Sequence, residues 1–241
     1  MDKQAALTAL DQGWHDCDRC PLQQHRQRVV FGDGYIGDGD RDAIMFVGQA
    51  PGQNENRIGK SFVGVAGELL MEVLMHICDC EPEIEKFIPK ARGNKVDFPG
   101  LRRELDKLFY FTNTVLCWPL EDRKPATKEM KVCWERLARE IYVVDPVLII
   151  TLGKTAMQGV SKYRGGIEGA HGSIFNISIP GLTGPVRYPV FATYHPSYIS
   201  RIGDFTAKEG RFAAWYQDIA RALKYVDEIN HAVHGDPIPE R

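Results

Sequence analysis

The sequence predicts an α/β fold built on a mostly parallel sheet. Two observations predict it: short apolar runs alternate with helical stretches, and no internal repeat or low-complexity linker divides the 241 residues. The first strand is 43–48 (AIMFVG), followed by the Gly-rich loop QAPGQNENRIGKSFVGVAG and the helix GELLMEVLMHI. The run FYFTNTVLC, 109–117, reads as a second, buried strand, with a helix from about Lys128 to Val143 after it. Next comes DPVLIITLG with the short helix KTAMQGV, then YPVFATYHPS and a final helix near 207–227. The first 40 residues are expected to wrap the outside. Residues 81–100 read as an insertion and 228–241 as a frayed tail, leaving one domain over 1–241 with a core of about 14–224. In parallel sheets ligands bind beyond the carboxyl ends of the strands. The segments GQAPG, TNTVLC and TYHPS all occupy such ends, so they are expected to converge on one cleft.

Composition narrows the class without naming a function. Hydrophobic residues are 44%, charged residues 26% and aromatics 10%, which excludes a collagen, a coiled coil or a disordered chain. No run approaches 18 apolar residues, and the N-terminus has neither a basic nor an apolar leader region, so the expected compartment is the cytosol. The formal net charge is −2, so a polyanion would have to be met by a local basic face rather than by the whole-molecule field.

Six cysteines in such a chain point to metal binding or reduced thiols rather than to disulfides. Cys17 and Cys20 form a CxxC in a polar turn, half of a metal site. Cys117 at a strand end and Cys133 on a helix complete a plausible set of four, whereas Cys78 and Cys80 fit less well at the end of an apolar helix. Thiolate softness does not decide between zinc and an iron–sulfur cluster, and CxxC spacing by itself favours structural zinc.

The ordered array CDRCPL, VGQAPGQNENRIGKSFVGVAGELL, TNTVLCWP, Cys133, VLIITLG and TYHPSYISR resembles family 4 uracil-DNA glycosylases, the iron–sulfur members of their superfamily, from about residue 14 to 224. The resemblance implies a single three-layer α/β/α domain around a central parallel four-stranded sheet. It also implies a [4Fe–4S] cluster on Cys17, Cys20, Cys117 and Cys133, in place of zinc. The implied reaction is monofunctional hydrolysis of the N-glycosidic bond of deoxyuridine in single- or double-stranded DNA, by a chain expected to be a monomer.

Such an enzyme must flip the base into a pocket, grip it, and stabilise charge as the bond breaks. By resemblance, His195 of HPS donates to uracil O2 as negative charge develops there. Phe62 of KSFVG is placed to stack on the base, and the Asn113 amide matches uracil O4 and N3–H if its orientation is held. The loop containing Gln49, Ala50 and Gly52 is expected to present backbone N–H groups to the substrate. Ser197, Tyr198, Ile199 and Arg201 correspond to the segment that meets the duplex, with Tyr198 or Ile199 as the wedge. Arg57, Lys60 and Lys154 join Ser197 and Arg201 as candidate phosphate contacts.

Two departures from the family stand out. Gln49 replaces the usual Glu, and of the acidic run after Gly52 only Glu55 keeps a carboxylate; Glu55 is therefore the catalytic carboxylate candidate. The GQDPYH-type relatives carry Asp at the position of Ala50 and Tyr at that of Gly52. A glycine there leaves room for a 5-substituted uracil. The competing readings are a non-cleaving reader of modified DNA bases and a zinc-stabilised binding protein. The stretch RGGIEGAHG, with Arg164 and His171, receives no chemistry.

Overall fold

The computed structural model describes residues 2–79, 97–161, 163–202 and 210–234. Helix α1 (Lys3–Trp14) is capped by the Asp2 carboxylate, which accepts from the Ala5 N–H. Strands β1 (Asp33–Gly34) and β2 (Ile44–Gly48) follow, then the short helix α2 (Gln53–Ile58) and helices α3 (Val65–Asp79) and α4 (Phe98–Leu105). Strand β3 (Phe109–Asn113), helix α5 (Thr127–Val144), strand β4 (Leu148–Leu152) and helix α6 (Gly153–Val160) make up the middle of the chain. Strands β5 (Ile174–Pro180) and β6 (Pro185–Thr193), then helices α7 (Pro196–Ile202) and α8 (Arg211–His234), complete it.

The sheet runs β1-β3-β2-β4-β6-β5. Its four central strands, β3, β2, β4 and β6, are parallel, as the sequence predicts, and β1 and β5 add antiparallel edges. Successive residues of the central strands point to opposite faces, and both faces are apolar. Phe46, Phe111, Leu148 and Ile150 pack with Leu70, Leu74, Trp215 and Tyr216 on one side. Met45, Val47, Tyr110 and Ile149 pack with Leu137, Ile141 and Val160 on the other. Helices thus cover both faces, giving the three layers expected. Each fully buried side chain of this kind contributes about 1.5–3 kcal/mol.

Register brings the strand ends level. Gly48 pairs with Asn113, Val47 with Thr151, and Leu152 with Thr193, so one row crosses the sheet at 113, 48, 152 and 193. Helix α5 is locked behind this row by Arg136, whose side chain is 1% exposed. Its guanidinium donates to the Asn113 carbonyl at 2.7 Å and to Thr112 Oγ1 at 3.2 Å, and pairs with Glu140. Glu140 also accepts from Tyr110 and Thr112.

Several boundaries differ from expectation. The second strand ends at Asn113, so Cys117 lies four residues beyond it, in a turn. The N-terminal segment contains a full helix, α1, and the expected tail is helical to His234 because α8 continues through it. The segment after HPS is helix α7 rather than open loop, which turns Ile199 into the core at 1% exposure and removes it as a DNA-facing wedge in this conformation. Of the 81–100 segment, 81–96 lies outside the described residues, as does Cys80 before it, and 98–100 begin α4. No helix among the described residues is long and apolar enough to cross a membrane.

Candidate active site

A cleft of about 670 Å³ opens at the carboxyl edge of the sheet, lined from the loops after β2, β3, β4 and β6. It gathers Gln49, Ala50, Gly52, Glu55, Phe62, Asn113, Lys154, His195, Ser197, Tyr198 and Arg201, whereas Arg57, Lys60 and Ile199, also selected from the sequence, do not line it. A base-sized floor forms where Phe62 and Asn113 approach Gly48. A Cβ on Gly48 would lie 2.4 Å from Asn113 Oδ1 and 2.7 Å from Phe62 Cζ, so only glycine lets the two side chains close over the strand end. Phe62 rests on Phe111 with ring centroids 5.8 Å apart. Its backbone is left-handed, φ 53°, a conformation unfavourable for a bulky residue and typical of sites where structure is spent on function. The Asn113 amide is 3% exposed, lines the cleft, and has no hydrogen-bond partner among the described residues. No hydrogen bond from those residues therefore holds the amide in the single orientation that the sequence reading requires.

Glu55 is held more tightly than a solvated loop glutamate. Oε1 accepts from the N–H groups of Val63 (2.9 Å) and Gly64 (2.7 Å), and Oε2 from that of Gly52 (3.1 Å). The carboxylate thereby closes the N-terminal turn of α2 and pins the segment after Phe62. Three of its four lone-pair directions are occupied by amides. Gly52 can carry no side chain without disturbing this clamp, because its Cβ would lie 2.7 Å from Glu55 Oε2. Gln49 lies half-buried in the cleft wall, and its carbonyl accepts from Thr114 Oγ1.

His195 follows β6 by two residues. Its Nδ1 accepts the Ser197 backbone N–H at 3.1 Å and stands 2.8 Å from Ser197 Oγ. An Nδ1 that accepts carries no proton, so the neutral ring keeps its hydrogen on Nε2. Burial pushes the imidazole down to about 4 from its ordinary 6.5, and the Arg201 charge adds to this. The ring is therefore a neutral Nε2–H donor at physiological pH. Gly153, at φ 85°, starts α6 directly beneath it, and a Cβ there would lie 2.8 Å from His195 Cβ.

The cations at the cleft divide into free and committed. Lys124, Lys154 and Arg201 line it without an acidic partner among the described residues. Lys60, an expected phosphate contact, is instead bound to Asp33 (3.2 Å) and Asp106 (2.5 Å). Arg123 is paired with Glu129. Tyr198 folds back against Tyr194 at 5.8 Å, with the Arg211 guanidinium 5.4 Å from its ring.

A second, small cavity lies between α1, the turn after it, the turn after β3, and α5. Cys17, Cys20, Cys117 and Cys133 all line it, closed in by Trp14, Val29, Leu116 and Arg26. Arg26 donates to the Cys17 carbonyl and stands 3.6 Å from Cys117 Sγ. Burial pushes the Cys117 thiol up to about 11, with Arg26 acting against the shift and Cys133 and Cys20 adding to it. Cys78 is exposed on α3 and takes no part.

A model of the uracil DNA glycosylase superfamily matches residues 36–220, more than three quarters of the chain. The chain belongs to the uracil-DNA glycosylase superfamily. It is similar to the type-4 uracil-DNA glycosylase of Sulfurisphaera tokodaii, 32% identical over 181 residues that cover 75% of this chain and 70% of the relative. The type-4 enzyme of Thermotoga maritima is 31% identical over 185 residues (77% and 78%), and that of Pyrobaculum aerophilum 30% over 186 (77% and 80%). Within this superfamily member, sequence reasoning missed Arg26, Asn56, Glu168 and Tyr194. Glu168 and Tyr194 line the cleft, where the Tyr194 hydroxyl donates to Glu168 Oε2 at 2.8 Å. No local pattern announces these residues, because their partners lie far away in sequence.

Proposed function

We propose that this protein is a monofunctional uracil-DNA glycosylase that hydrolyses the N-glycosidic bond of deoxyuridine flipped out of DNA. The observation that carries the reading is the neutral His195 Nε2–H facing the same cleft as Phe62 and Asn113. As the bond from sugar to base lengthens, negative charge grows on the uracil, and a fixed donor at O2 stabilises it without reorganisation. Phe62 stacks on the base, and the unpartnered Asn113 amide pairs with O4 and N3–H. Cytosine presents the opposite donor–acceptor pattern there.

Positive charge develops on the sugar, and Ala50 offers it nothing. Glu55 supplies a fixed negative charge at the cleft wall rather than a proton-transfer group, since backbone amides occupy most of its lone pairs. Lys154 and Arg201 meet the flanking phosphates. Tyr198, on the cleft side of α7, takes the wedge role.

Cys17, Cys20, Cys117 and Cys133 would hold a [4Fe–4S] cluster. The donor set fits: four sulfurs line one cavity, Cys117 and Cys133 are buried with Cys17 and Cys20 half-buried beside them, and a guanidinium stands next to one of them. When bound, the cluster supplies a structural tie between the N-terminal segment, the turn after β3, and α5.

The testing experiment is base release by anaerobically purified protein from oligonucleotides carrying uracil, 5-hydroxymethyluracil, hypoxanthine or thymine, in single and double strands. Release of uracil is expected. Release of only the 5-substituted base would assign the cleft to a different substrate. Binding with no release from any of them, with the cluster intact, would make the protein a reader of DNA rather than a glycosylase.

A further inference from the structure

Asn56 follows Glu55 in α2, yet it faces the opposite way. It is 1% exposed, and its Oδ1 accepts two backbone N–H groups, those of Gln27 (2.7 Å) and Arg28 (3.4 Å). Those residues directly follow Arg26, which bonds the Cys17 carbonyl and approaches Cys117 Sγ. The same segment is stitched down twice more. Arg28 Nε donates to the Arg57 carbonyl at 3.1 Å, and the Val30 N–H donates to the Leu116 carbonyl at 2.9 Å. On the other side of α2, the Glu55 carboxylate holds the amides of Gly52, Val63 and Gly64, which flank the strained Phe62.

We propose that Asn56 is a positioning residue of the base site, fixing α2 to the cysteine-bearing N-terminal segment so that the Glu55 clamp and Phe62 are held in register. This rests on the uracil-excision reading above. α2 has only six residues, too few to keep its orientation by itself, and its glutamate can set Phe62 only if the helix is anchored from behind. Asn56 supplies that anchor with one oxygen serving two orphan amides. A substitution that removes the oxygen leaves both N–H groups buried against an apolar side chain, and the helix is released from that side.

The test compares Asn56→Ala with Asn56→Asp, which keeps an acceptor oxygen facing the two amides, in the whole protein with its cluster checked by visible absorbance and iron content. Asn56→Ala is expected to lower the single-turnover rate of uracil release about tenfold, mainly in kcat rather than KM. It should also speed hydrogen exchange at the Gly52, Val63 and Gly64 amides, with the cluster retained. Asn56→Asp should restore most of both. A fully loaded Asn56→Ala protein with wild-type exchange at those amides overturns the proposal.

Should Asn56→Ala not fold, wild-type exchange decides. The Gln27 amide is expected to open together with the Gly64 amide as one unit, and a Gln27 amide exchanging far faster would refute the anchor. The exchange readout does not depend on substrate. A wild-type protein that released no uracil but showed the coupled exchange would sink the functional reading and leave the anchor standing.

Discussion

Replacing Glu55 by Gln separates the two jobs a carboxylate could have in this cleft. The change is nearly isosteric, but the amide can present only one oxygen to three N–H donors. If that oxygen keeps Val63 and Gly64, the NH2 group is turned toward the Gly52 N–H, which now faces a donor instead of an acceptor. Leaving one buried donor unsatisfied costs about 1–3 kcal/mol, and losing the charge on the two remaining bonds roughly halves their strength. The expected total is about 2–4 kcal/mol. For a chain of this size that corresponds to a fall in Tm of roughly 5–15 °C, measured by calorimetry or circular dichroism. Uracil release should fall with it, by about tenfold to a hundredfold at a temperature where the variant is fully folded, because the fixed charge and the setting of Phe62 are lost together. A variant with unchanged Tm would refute the clamp, whatever its activity. Unchanged Tm with a collapsed rate would return Glu55 to direct chemistry on the water or the sugar.

Further outcomes at His195, Phe62 and Gly153 follow from the same geometry. His195→Ala should lower excision by about 10²–10³-fold with DNA affinity nearly intact. Because the neutral ring is the working form and burial holds its pKa at about 4, the acid limb of kcat/KM should lie near pH 4, and a limb centred at 6.5 would contradict the assignment. The same shift makes the fold lose stability as pH falls from about 6.5 toward 4, since the unfolded chain takes up the proton first. Phe62→Gly should be about 1 kcal/mol more stable than Phe62→Ala, as glycine accepts φ 53° without strain, while both lose the stacking contact and excise poorly; equal stabilities in chemical denaturation would argue against the strained turn. Gly153→Ala should displace His195 and reduce kcat by about a hundredfold in single-turnover assays, and a normal rate would mean that the ring is not seated where Gly153 puts it.

The parallel centre of the sheet was legible because its strands are buried on both faces and read as continuous apolar runs. The meeting of GQAPG, TNTVLC and TYHPS was legible for a related reason, since parallel strands deliver all their carboxyl ends to one edge. The edge strands were not. β1 has two residues and no pattern to read, and β5, which the sequence reading assigns to no element, shows its alternation only as the buried pair Ile177 and Ile179 among more exposed neighbours. α7 was missed because HPS invites a loop reading, and the helical face that buries Pro196 and Ile199 emerges only once α3 and α8 are in place beside it. The fate of a charge was the hardest to foresee. Lys60 and Glu55 look alike in sequence, as polar residues of one glycine-rich loop. Asp33 and Asp106 claim the first and three backbone amides claim the second, and those partners are supplied by the fold.

The bond that fixes the His195 tautomer comes from a main-chain amide. Many histidines owe their tautomer to a carboxylate that one substitution can delete, but here almost any residue at 197 would present the same N–H. Drift at position 197 is thus buffered: a change from serine removes the Oγ contact at 2.8 Å but keeps the N–H that Nδ1 accepts. Proline is the exception, as the one residue without that hydrogen. The arrangement shields the reacting tautomer from nearly every point mutation of its own partner, and it ties the state of the ring to whether the first turn of α7 is wound.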